Sequence, residues 1–391
     1  QRYLHFEKAY LDGELDAGFK GLGTWDYRMV VNGEEPDAIL TWGREMLRNY
    51  RPDHISTKDY RWRYVALVRS DIRYGSQDNK FDEEQLQFFQ NIHKNGGVCG
   101  RRAFIGRFIL RAFGIPTVAR PQRGHAALAH WTPDGWVVCL GGGWGVGWAN
   151  GPEAVGRGRS ADTIFLAQTQ ARMAGAPFKQ VWRAMTAASA LAPDDASGLW
   201  DSVALYCQRA VIADAKAKTL AAVGEDIGEA NETKEKVDIA MATLSDADRK
   251  VVVDGKGVIT IPASATSKPT QSTGKIIFMP SNLGGKQLHY SRTGGPEGFE
   301  YTFEAPAAGK YALTARVVTP SWKQRLTLAL NGAGQPVDIA LPFTVGMWDQ
   351  TEPVEVTLQK GRNVLSCSRD HEGLKGLTIR DFTLTPVKSN Q

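Results

Sequence analysis

The N-terminal part of the chain repeats apolar residues every three or four positions, the period of an amphipathic helix. The repeat is clear over residues 37–49 and 60–74, so residues 1–85 are expected to be mainly helix with loops. Residues 160–248 are rich in alanine and are also predicted to be helical.

A further helix is predicted to begin at Cys99 and to end before Gly114 and Pro116. A glycine followed by a proline is usual just beyond the end of a helix. The apolar face of this helix consists of Ile105, Phe108, Ile109, Ala112 and Phe113.

A hairpin is predicted next, with strands at residues 124–131 and 136–142. The intervening residues, Thr132-Pro133-Asp134-Gly135, place proline and glycine where a type I turn favours them. Residues 141–148 contain five glycines and two tryptophans and are expected to form a flexible aromatic loop that borders a cleft.

Beyond residue 250 the apolar pattern changes to alternation, the period of a strand. Residues 258–261 begin this part, and residues 264–275 form a connector rich in Ser, Thr, Pro and Lys. The later alternating runs are 299–303, 311–318, 326–330, 354–358, 363–368 and 377–384. Short strands at this spacing, separated by turn residues, predict an antiparallel sandwich.

The change of pattern also predicts the domain organisation. A chain of 391 residues is too long for one ordinary hydrophobic core. We therefore expect an α+β catalytic domain with helical extensions at 1–248, a linker with the first strand at 249–275, and an all-β sandwich at 276–391.

Composition narrows the class of protein. With 42% hydrophobic and 23% charged residues and no apolar run long enough for a bilayer, the chain is expected to be globular without a membrane span. Its four cysteines form no C-x-x-C or Cys/His cluster, so neither a metal site nor a cofactor is expected. The chain starts at Gln1 rather than at Met, and we expect a secreted or periplasmic protein.

The net charge of +5 is modest, but residues 85–133 contain no acidic side chain. The basic residues of this stretch are Lys94, Arg101, Arg102, Arg107, Arg111, Arg120 and Arg123. They either pair with acids elsewhere in the fold or form an electropositive cleft for substrate carboxylates or sulfates. The candidate substrate-binding residues are Arg101, Arg102, Arg120 and Arg123. Nucleic acid is not an expected partner, because no binding motif accompanies the charge.

Cys99 and His125 are the candidate catalytic residues. Cys99 lies in Gly-Gly-Val-Cys-Gly at the predicted start of a helix, where the helix dipole and free N–H groups favour the thiolate. His125 opens the first strand of the hairpin, and a histidine on a neighbouring strand is the proton partner that a nucleophilic thiol requires. Trp131 has the same strand parity as His125 and is predicted to line the site.

The order and spacing of these motifs resemble the transglutaminase-like superfamily. The matching motifs are Gly97-Val98-Cys99, the Leu-Arg-Ala-Phe-Gly-Ile-Pro of residues 110–116, and Gly124-His125-Ala126 ahead of Gly135-Trp136-Val137. The resemblance covers residues 60–150. It implies a papain-like core in which a cysteine opens a helix and a histidine and an aspartate lie on adjacent strands. By this match Cys99 is the nucleophile, and His125 is the general base and acid.

The sequence departs from the family pattern at Leu140, which occupies the position of the aspartate. Asp134 lies at the tip of the hairpin, up to about 30 Å from His125 along the strand. His130 has the strand parity of the opposite face. Two alternatives therefore stay open. Either an acid or amide from outside the hairpin orients His125, or no group does.

The C-terminal strands are similar to bacterial carbohydrate-binding modules of the galactose-binding-like type. The matching segments are Gly309-Lys310-Tyr311-Ala312-Leu313 and residues 354–363 and 379–384. The resemblance implies glycan binding through loop aromatics, for which Trp322 and Trp348 are the candidates. Packing inside the fold is the alternative role for each tryptophan.

Three functions stay open on the sequence alone. The first is a transglutaminase-like thiol enzyme that performs acyl transfer or amide hydrolysis and is targeted to glycan, with a glycoprotein or acidic polysaccharide as its partner. The second is a lyase or hydrolase on an acidic, uronate-type glycan, in which arginine neutralises the carboxylate and His125 or a tyrosine removes the C5 proton. The third is a non-catalytic glycan-binding protein.

Overall fold

The computed structural model describes residues 1–75, 81–122, 125–133, 135–140, 178–191, 202–203, 206–207, 210, 242–370 and 373–387. The chain divides into two compact units, which are Gln1–Glu34 with Val98–Glu235 and Glu35–Gly97 with Lys236–Gln391. Helices together with antiparallel sheets confirm the predicted α+β class. The domain bounds expected from the sequence stay a prediction.

The helices lie mainly in the first part of the chain. They are α1 (Arg2–Leu11), α2 (Thr24–Val31), α3 (Asp37–Tyr50), α4 (Pro52–Ser56), α5 (Ala66–Ser70), α6 (Phe88–Asn95), α7 (Cys99–Ala112) and α8 (Phe178–Leu191). Short 3-10 turns occur at Ala17–Gly21 and Ala247–Arg249.

The strands lie after α7. They are β1 (Thr117–Gln122), β2 (His125–Thr132), β3 (Gly135–Cys139), β4 (Val252–Val253), β5 (Ile259–Pro262), β6 (Ile276–Pro280), β7 (Lys286–Tyr290), β8 (Phe299–Ala305), β9 (Gly309–Val318), β10 (Gln324–Leu330), β11 (Ala333–Leu341), β12 (Asp349–Gln350), β13 (Val354–Leu358), β14 (Gly361–Ser368) and β15 (Leu377–Pro386).

In the first unit, α7 packs against β1 and β2 of a three-stranded antiparallel sheet ordered β1-β2-β3. Its apolar face, which includes Ile105, Phe108 and Ile109, is fully buried. Gly114 follows the helix with a φ of +79°, in the left-handed region that favours glycine. A Cβ at Gly114 would lie 2.6 Å from the ring of Phe19, so a close approach also requires glycine here.

In the second unit, β4 to β15 form a sandwich around one hydrophobic core. One sheet is ordered β11-β10-β14-β8, and the other contains β12, β9, β15, β5 and β4 with β13, β7 and β6 joined to it. Alternate residues point inward, as on β8, where Phe299, Tyr301 and Phe303 are buried. The predicted antiparallel sandwich is confirmed.

The same unit includes α3 to α6, and α3 packs against loops of the sandwich. The indole Nε1 of Trp42 donates to the carbonyl of Val345 at 2.8 Å, and Asn49 donates to the carbonyl of Gly346 at 3.2 Å. Gly346 has a φ of +83°, and a Cβ there would lie 2.3 Å from Cγ of Met46. Helix α3 and the loop therefore pack in contact at Gly346, where any side chain larger than glycine would clash with Met46.

A buried ionic cluster lies at this junction. The guanidinium of Arg51 donates to both carboxylate oxygens of Asp53, at 2.9 and 2.8 Å, and to Asp71 at 3.0 Å. The hydroxyl of Tyr50 donates to the other oxygen of Asp71 at 2.5 Å. All four side chains are buried, so each charge depends on its partners rather than on water.

His289 of β7 joins this cluster to the sandwich. The hydroxyl of Thr378 donates to the backbone carbonyl of Tyr50 at 2.8 Å, so it accepts the Nδ1–H of His289 at 2.9 Å. This leaves a lone pair on Nε2 of His289, which faces the Arg51 guanidinium at 3.4 Å. The contacts therefore require a neutral His289.

Burial controls the ionisation of the three histidines that the structure describes in the second unit, His54, His93 and His289. Burial lowers the pKa of His93 to about 4. Burial, together with the positive charge of Arg51, lowers the pKa of His54 to about 4 and that of His289 to about 3. The carboxyl groups of Asp53 and Asp71 are also buried, but Arg51 outweighs burial and holds their pKa values below the usual range.

Most predicted elements agree with the structure. The helix expected at 37–49 is Asp37–Tyr50, the helix from Cys99 is present, and all six late strands occur within a few residues of their predicted ends. The helix expected over 60–74 is wrong in length, because only Ala66–Ser70 is an α-helix there. The sequence pattern did not indicate the strands β1, β4, β6, β7, β11 and β12. The loop 141–148 and most of the helical segment 160–248 lie outside the described residues.

We expect the second unit to lose stability as the pH falls from about 6.5 toward 4. The pKa values of His54, His93 and His289 are about 4, 4 and 3 in the folded chain, against about 6.5 in an unfolded one. The unfolded state therefore binds more protons in this window, so stability rises with pH. At about 1.4 kcal/mol per pH unit for each proton, the three histidines together give a slope of up to about 4 kcal/mol per pH unit.

Urea unfolding followed by tryptophan fluorescence at several pH values measures this slope. His5→Gln, in α1 of the first unit, is the control and is expected to leave the slope unchanged. Stability that stays constant from pH 7 to pH 5 would contradict the neutral, buried state of the three histidines.

Candidate functional site

Cys99 is the first residue of α7 and its thiol is free and partly buried. The N-cap residue is Val98, whose side chain has no oxygen to accept a hydrogen bond from the first-turn amides. No acidic residue occupies that first turn. The cap and first turn of α7, all of them described residues, therefore supply no side-chain acceptor to these amides, an arrangement that suits a thiolate or an oxyanion.

His125 is the first residue of β2, and its ring is also partly buried. Its Nε2 atom lies 2.7 Å from the backbone carbonyl oxygen of Leu140. A carbonyl only accepts, so Nε2 carries the proton, and in the neutral ring the lone pair is on Nδ1. In the part of the chain that the structure describes, no side-chain carboxylate or amide bonds this ring. The expectation that an acid or amide from outside the hairpin orients His125 stays a prediction.

Leu140 follows the last residue of β3 and has a φ of +60°, which is uncommon for a non-glycine residue. Its side chain is buried. The carbonyl that meets His125 therefore belongs to a residue with an unusual backbone conformation and an anchored side chain.

Cys99 and His125 lie in the same compact unit, and the helix that Cys99 opens packs against the strand that His125 opens. The transglutaminase-like core stays a prediction. The direct partnership of sulfur and imidazole stays a prediction.

The candidate arginines occupy different environments. Arg101 and Arg102, in the first turns of α7, are buried, at 4% and 1% exposure. Arg120 lies on β1, but its side chain is outside the described residues, as is the whole of Arg123. Lys94, from the same basic stretch, is buried and donates to Glu83 at 3.1 Å. At least one of these cations therefore pairs with an acid inside the fold.

Trp131 shares a sheet face with its cross-strand neighbour Trp136. Its ring packs over Gly18, where a Cβ would lie 2.8 Å from it, and against a buried cluster of Met29, Ala129 and Trp136. These contacts give Trp131 a packing role. Its predicted role in lining the site stays a prediction.

Trp322, the first candidate for glycan binding, is covered on one ring face. The ammonium Nζ of Lys94 lies 3.1 Å from the ring centroid, a cation–π contact. Phe343 packs edge-on against the same indole, with ring centroids 5.2 Å apart. A sugar that stacked on the covered face would have to displace Lys94 from both Trp322 and Glu83.

Trp348, the second candidate, is partly buried, and its Nε1 donates to Oδ1 of Asn282 at 3.0 Å. The side chain of Asn282 in turn donates to Asn49 of α3 at 2.5 Å. This chain of contacts holds the indole at the loop edge of the sandwich.

A groove of about 400 Å³, which the sequence pattern does not indicate, lies on the outer face of the four-stranded sheet. Its polar lining side chains are Lys268, Glu297, Glu300, Thr327, Ser366 and Ser368, and its floor includes Ala329. Most of these residues occupy outward positions of β8, β10 and β14. Alternation along one strand indicates which residues point outward, but only the pairing of the strands shows that these residues line one groove.

Among the residues that the structure describes, no three His, Cys, Asp or Glu side chains lie together as metal ligands would. None of the helices in the described ranges combines the length and apolar character needed to cross a bilayer.

No family model matches the chain, and no curated protein matches it. Solved structures similar to it include a Podospora anserina β-(1,4)-mannanase with a family 35 carbohydrate-binding module, at 17% identity and a TM-score of 0.27. A family 35 carbohydrate-binding module from Clostridium thermocellum has 16% identity and a TM-score of 0.27. A carbohydrate-binding module of Cellvibrio mixtus lichenase 5A, in complex with cellotriose, has 19% identity and a TM-score of 0.26.

These similarities cover 35%, 33% and 33% of this chain, in the same order. They span 29% of the mannanase, 98% of the Clostridium module and 97% of the Cellvibrio module. The sandwich is established by its own strand pairing.

We expect iodoacetamide to label Cys99 first in the folded protein. Cys139 and Cys367 are buried, and burial raises the pKa of the Cys367 thiol. Cys207 is partly buried like Cys99, so it serves as the internal reference. Labelling followed by peptide mass spectrometry should show Cys99 reacting at least about tenfold faster than Cys207. Equal rates at the two thiols would mean that the start of α7 does not activate Cys99.

Proposed function

We propose that the chain is a secreted or periplasmic thiol enzyme of the transglutaminase-like type that acts through Cys99 and His125. The observation that carries the proposal is the hydrogen bond from Nε2 of His125 to Leu140, because it leaves Nδ1 of the neutral ring as a base. The position of Cys99 at the start of α7, which packs against β2, supports the same conclusion.

In the proposed reaction, Nδ1 of His125 takes the thiol proton of Cys99, and the sulfur attacks the carbonyl carbon of an amide. Backbone N–H groups in the first turn of α7 stabilise the oxyanion. The amine leaves with the proton from His125, and a thioester remains on Cys99. Water or a second amine then attacks the thioester, gives its proton to His125 and releases the thiol.

We also propose that the sandwich targets the enzyme to glycan, either an acidic polysaccharide or the glycan of a glycoprotein. Trp348 is the better placed of the two tryptophans, because Lys94 covers a ring face of Trp322. An aromatic ring at the loop edge of a sandwich suits the apolar face of a sugar.

A polysaccharide-active enzyme, a lyase or hydrolase on an acidic glycan, is the second candidate function. The acceptor that bonds His125 is an uncharged carbonyl, and removal of a C5 proton requires a positioned base but no thiol. This candidate function makes Cys99 dispensable.

Substitution of the thiol separates the two candidate functions. With a panel of glycoproteins and acidic polysaccharides, Cys99→Ala is expected to lower acyl transfer or amide hydrolysis by about 10⁴-fold or more. Cys207→Ala is the matched control and should keep full activity. Assays of ammonia release and of ultraviolet absorbance by unsaturated uronates follow the two chemistries. Unsaturated products that persist in Cys99→Ala would contradict the thiol mechanism and support the lyase.

Glycan binding by the sandwich is expected to weaken more in Trp348→Ala than in Trp322→Ala. Loss of one sugar-stacking ring should raise Kd by about tenfold, whereas Trp322 already has one face occupied by Lys94. Calorimetric titration of the full chain with the glycans selected by an array measures both values. Binding that survives both changes but is lost in Ser366→Trp would place the sugar in the sheet groove and contradict the role of Trp348.

A further inference from the structure

We propose that the backbone carbonyl of Leu140 orients His125, so that Leu140 is a positioning residue of the site. The inference rests on the proposed function, in which His125 is the base. The Nε2–O distance of 2.7 Å is that of a well-formed hydrogen bond, and it fixes which nitrogen carries the proton. A main-chain group thus does what the aspartate side chain of the resembled family does at the same position.

The strand ladder explains why this carbonyl is available. The pairing of β2 with β3 ends at Leu128 and Cys139. Leu140 is the next residue, so in the described part of the chain its carbonyl lies beyond the β2–β3 ladder. His125 lies three residues before Leu128 on the central strand, where its ring reaches past the end of β3 to this oxygen.

The backbone conformation of Leu140 gives the carbonyl its direction. A residue with a φ of +60° turns the chain away from the extended course of β3. Leucine has no intrinsic preference for this region, and the buried side chain of Leu140 supplies the anchor that holds it there. Strain of this kind persists where the surrounding structure enforces it, and here the strained residue bonds a catalytic ring.

The chemistry of the acceptor also matters. A carboxylate would add a full negative charge beside the ring, whereas a carbonyl orients the ring with a dipole alone. The neutral ring with its lone pair on Nδ1 is the form that accepts a proton from a thiol. The site therefore keeps the orienting function of the third triad member without its charge.

The tautomer of His125 can be measured directly in the full-length wild-type chain. Imidazole ¹⁵N chemical shifts should show Nε2 protonated and Nδ1 unprotonated at neutral pH, with a scalar coupling from Nε2–H to the Leu140 carbonyl carbon. A ring protonated at Nδ1, or one that averages between both tautomers, would overturn the inference without the need for any variant.

Two apolar variants of similar volume test the role of the backbone. Leu140→Ile places a β-branched residue where φ is positive, which that residue type strongly disfavours, so the carbonyl should turn away. Leu140→Met is unbranched at Cβ and should rescue the wild-type behaviour. We expect Leu140→Ile to mix the His125 tautomers, shift the pH profile of Cys99 alkylation, and slow that alkylation about tenfold near neutral pH.

The outcomes separate this inference from the proposed function. If Leu140→Ile folds and keeps the wild-type tautomer, the carbonyl of Leu140 does not position the ring, although the thiol mechanism can stand. If the tautomer changes but Cys99 alkylation responds neither to Leu140→Ile nor to His125→Gln, the carbonyl does orient His125 but the thiol mechanism fails. Circular dichroism confirms that each variant is folded.

Discussion

The second unit depends on one buried guanidinium. Arg51 lies between Asp53 and Asp71, and the same cluster reaches the sandwich through His289 and Thr378. Buried ion pairs give little net stability, because desolvation offsets most of the attraction, but removal of one partner leaves the other charges buried and unpaired. Loss of Arg51 would leave two carboxylates in the core. The cluster therefore links α3 to α5 to the sandwich by contacts whose loss would leave buried charges unpaired.

The loops of the sandwich are used for contact with helices of their own unit. Val345 and Gly346 receive hydrogen bonds from α3, and Trp322 receives the ammonium of Lys94 near the end of α6. Loops at the edge of a sandwich are free to vary without disturbing the core, so they serve equally well for packing or for recognition. At Trp322 they serve packing, because Lys94 covers one face of the ring.

The sequence pattern predicted those helices and strands that bury one face and expose the other, because only these repeat apolar residues at a regular period. The helix from Cys99 and the strand 354–358 repeat apolar residues at the period of their geometry, and both are present with nearly the expected ends. The helix expected over 60–74 is only five residues long at Ala66–Ser70, because that segment is buried on several sides and its apolar residues do not mark a single face. Strands such as Lys286–Tyr290 were missed since they hold buried polar residues such as His289.

The part of the candidate site that consists of reactive side chains could be predicted from the sequence. Cys99 and His125 stand out because thiol and imidazole are rare and their positions on elements are informative. The orienting group could not be found in this way, because it is a main-chain carbonyl and every residue has one. Only the φ of Leu140 and the end of the β2–β3 ladder distinguish it, and neither can be read from a leucine in a sequence. A missing acid at a triad position therefore does not by itself show that the histidine has lost its orientation.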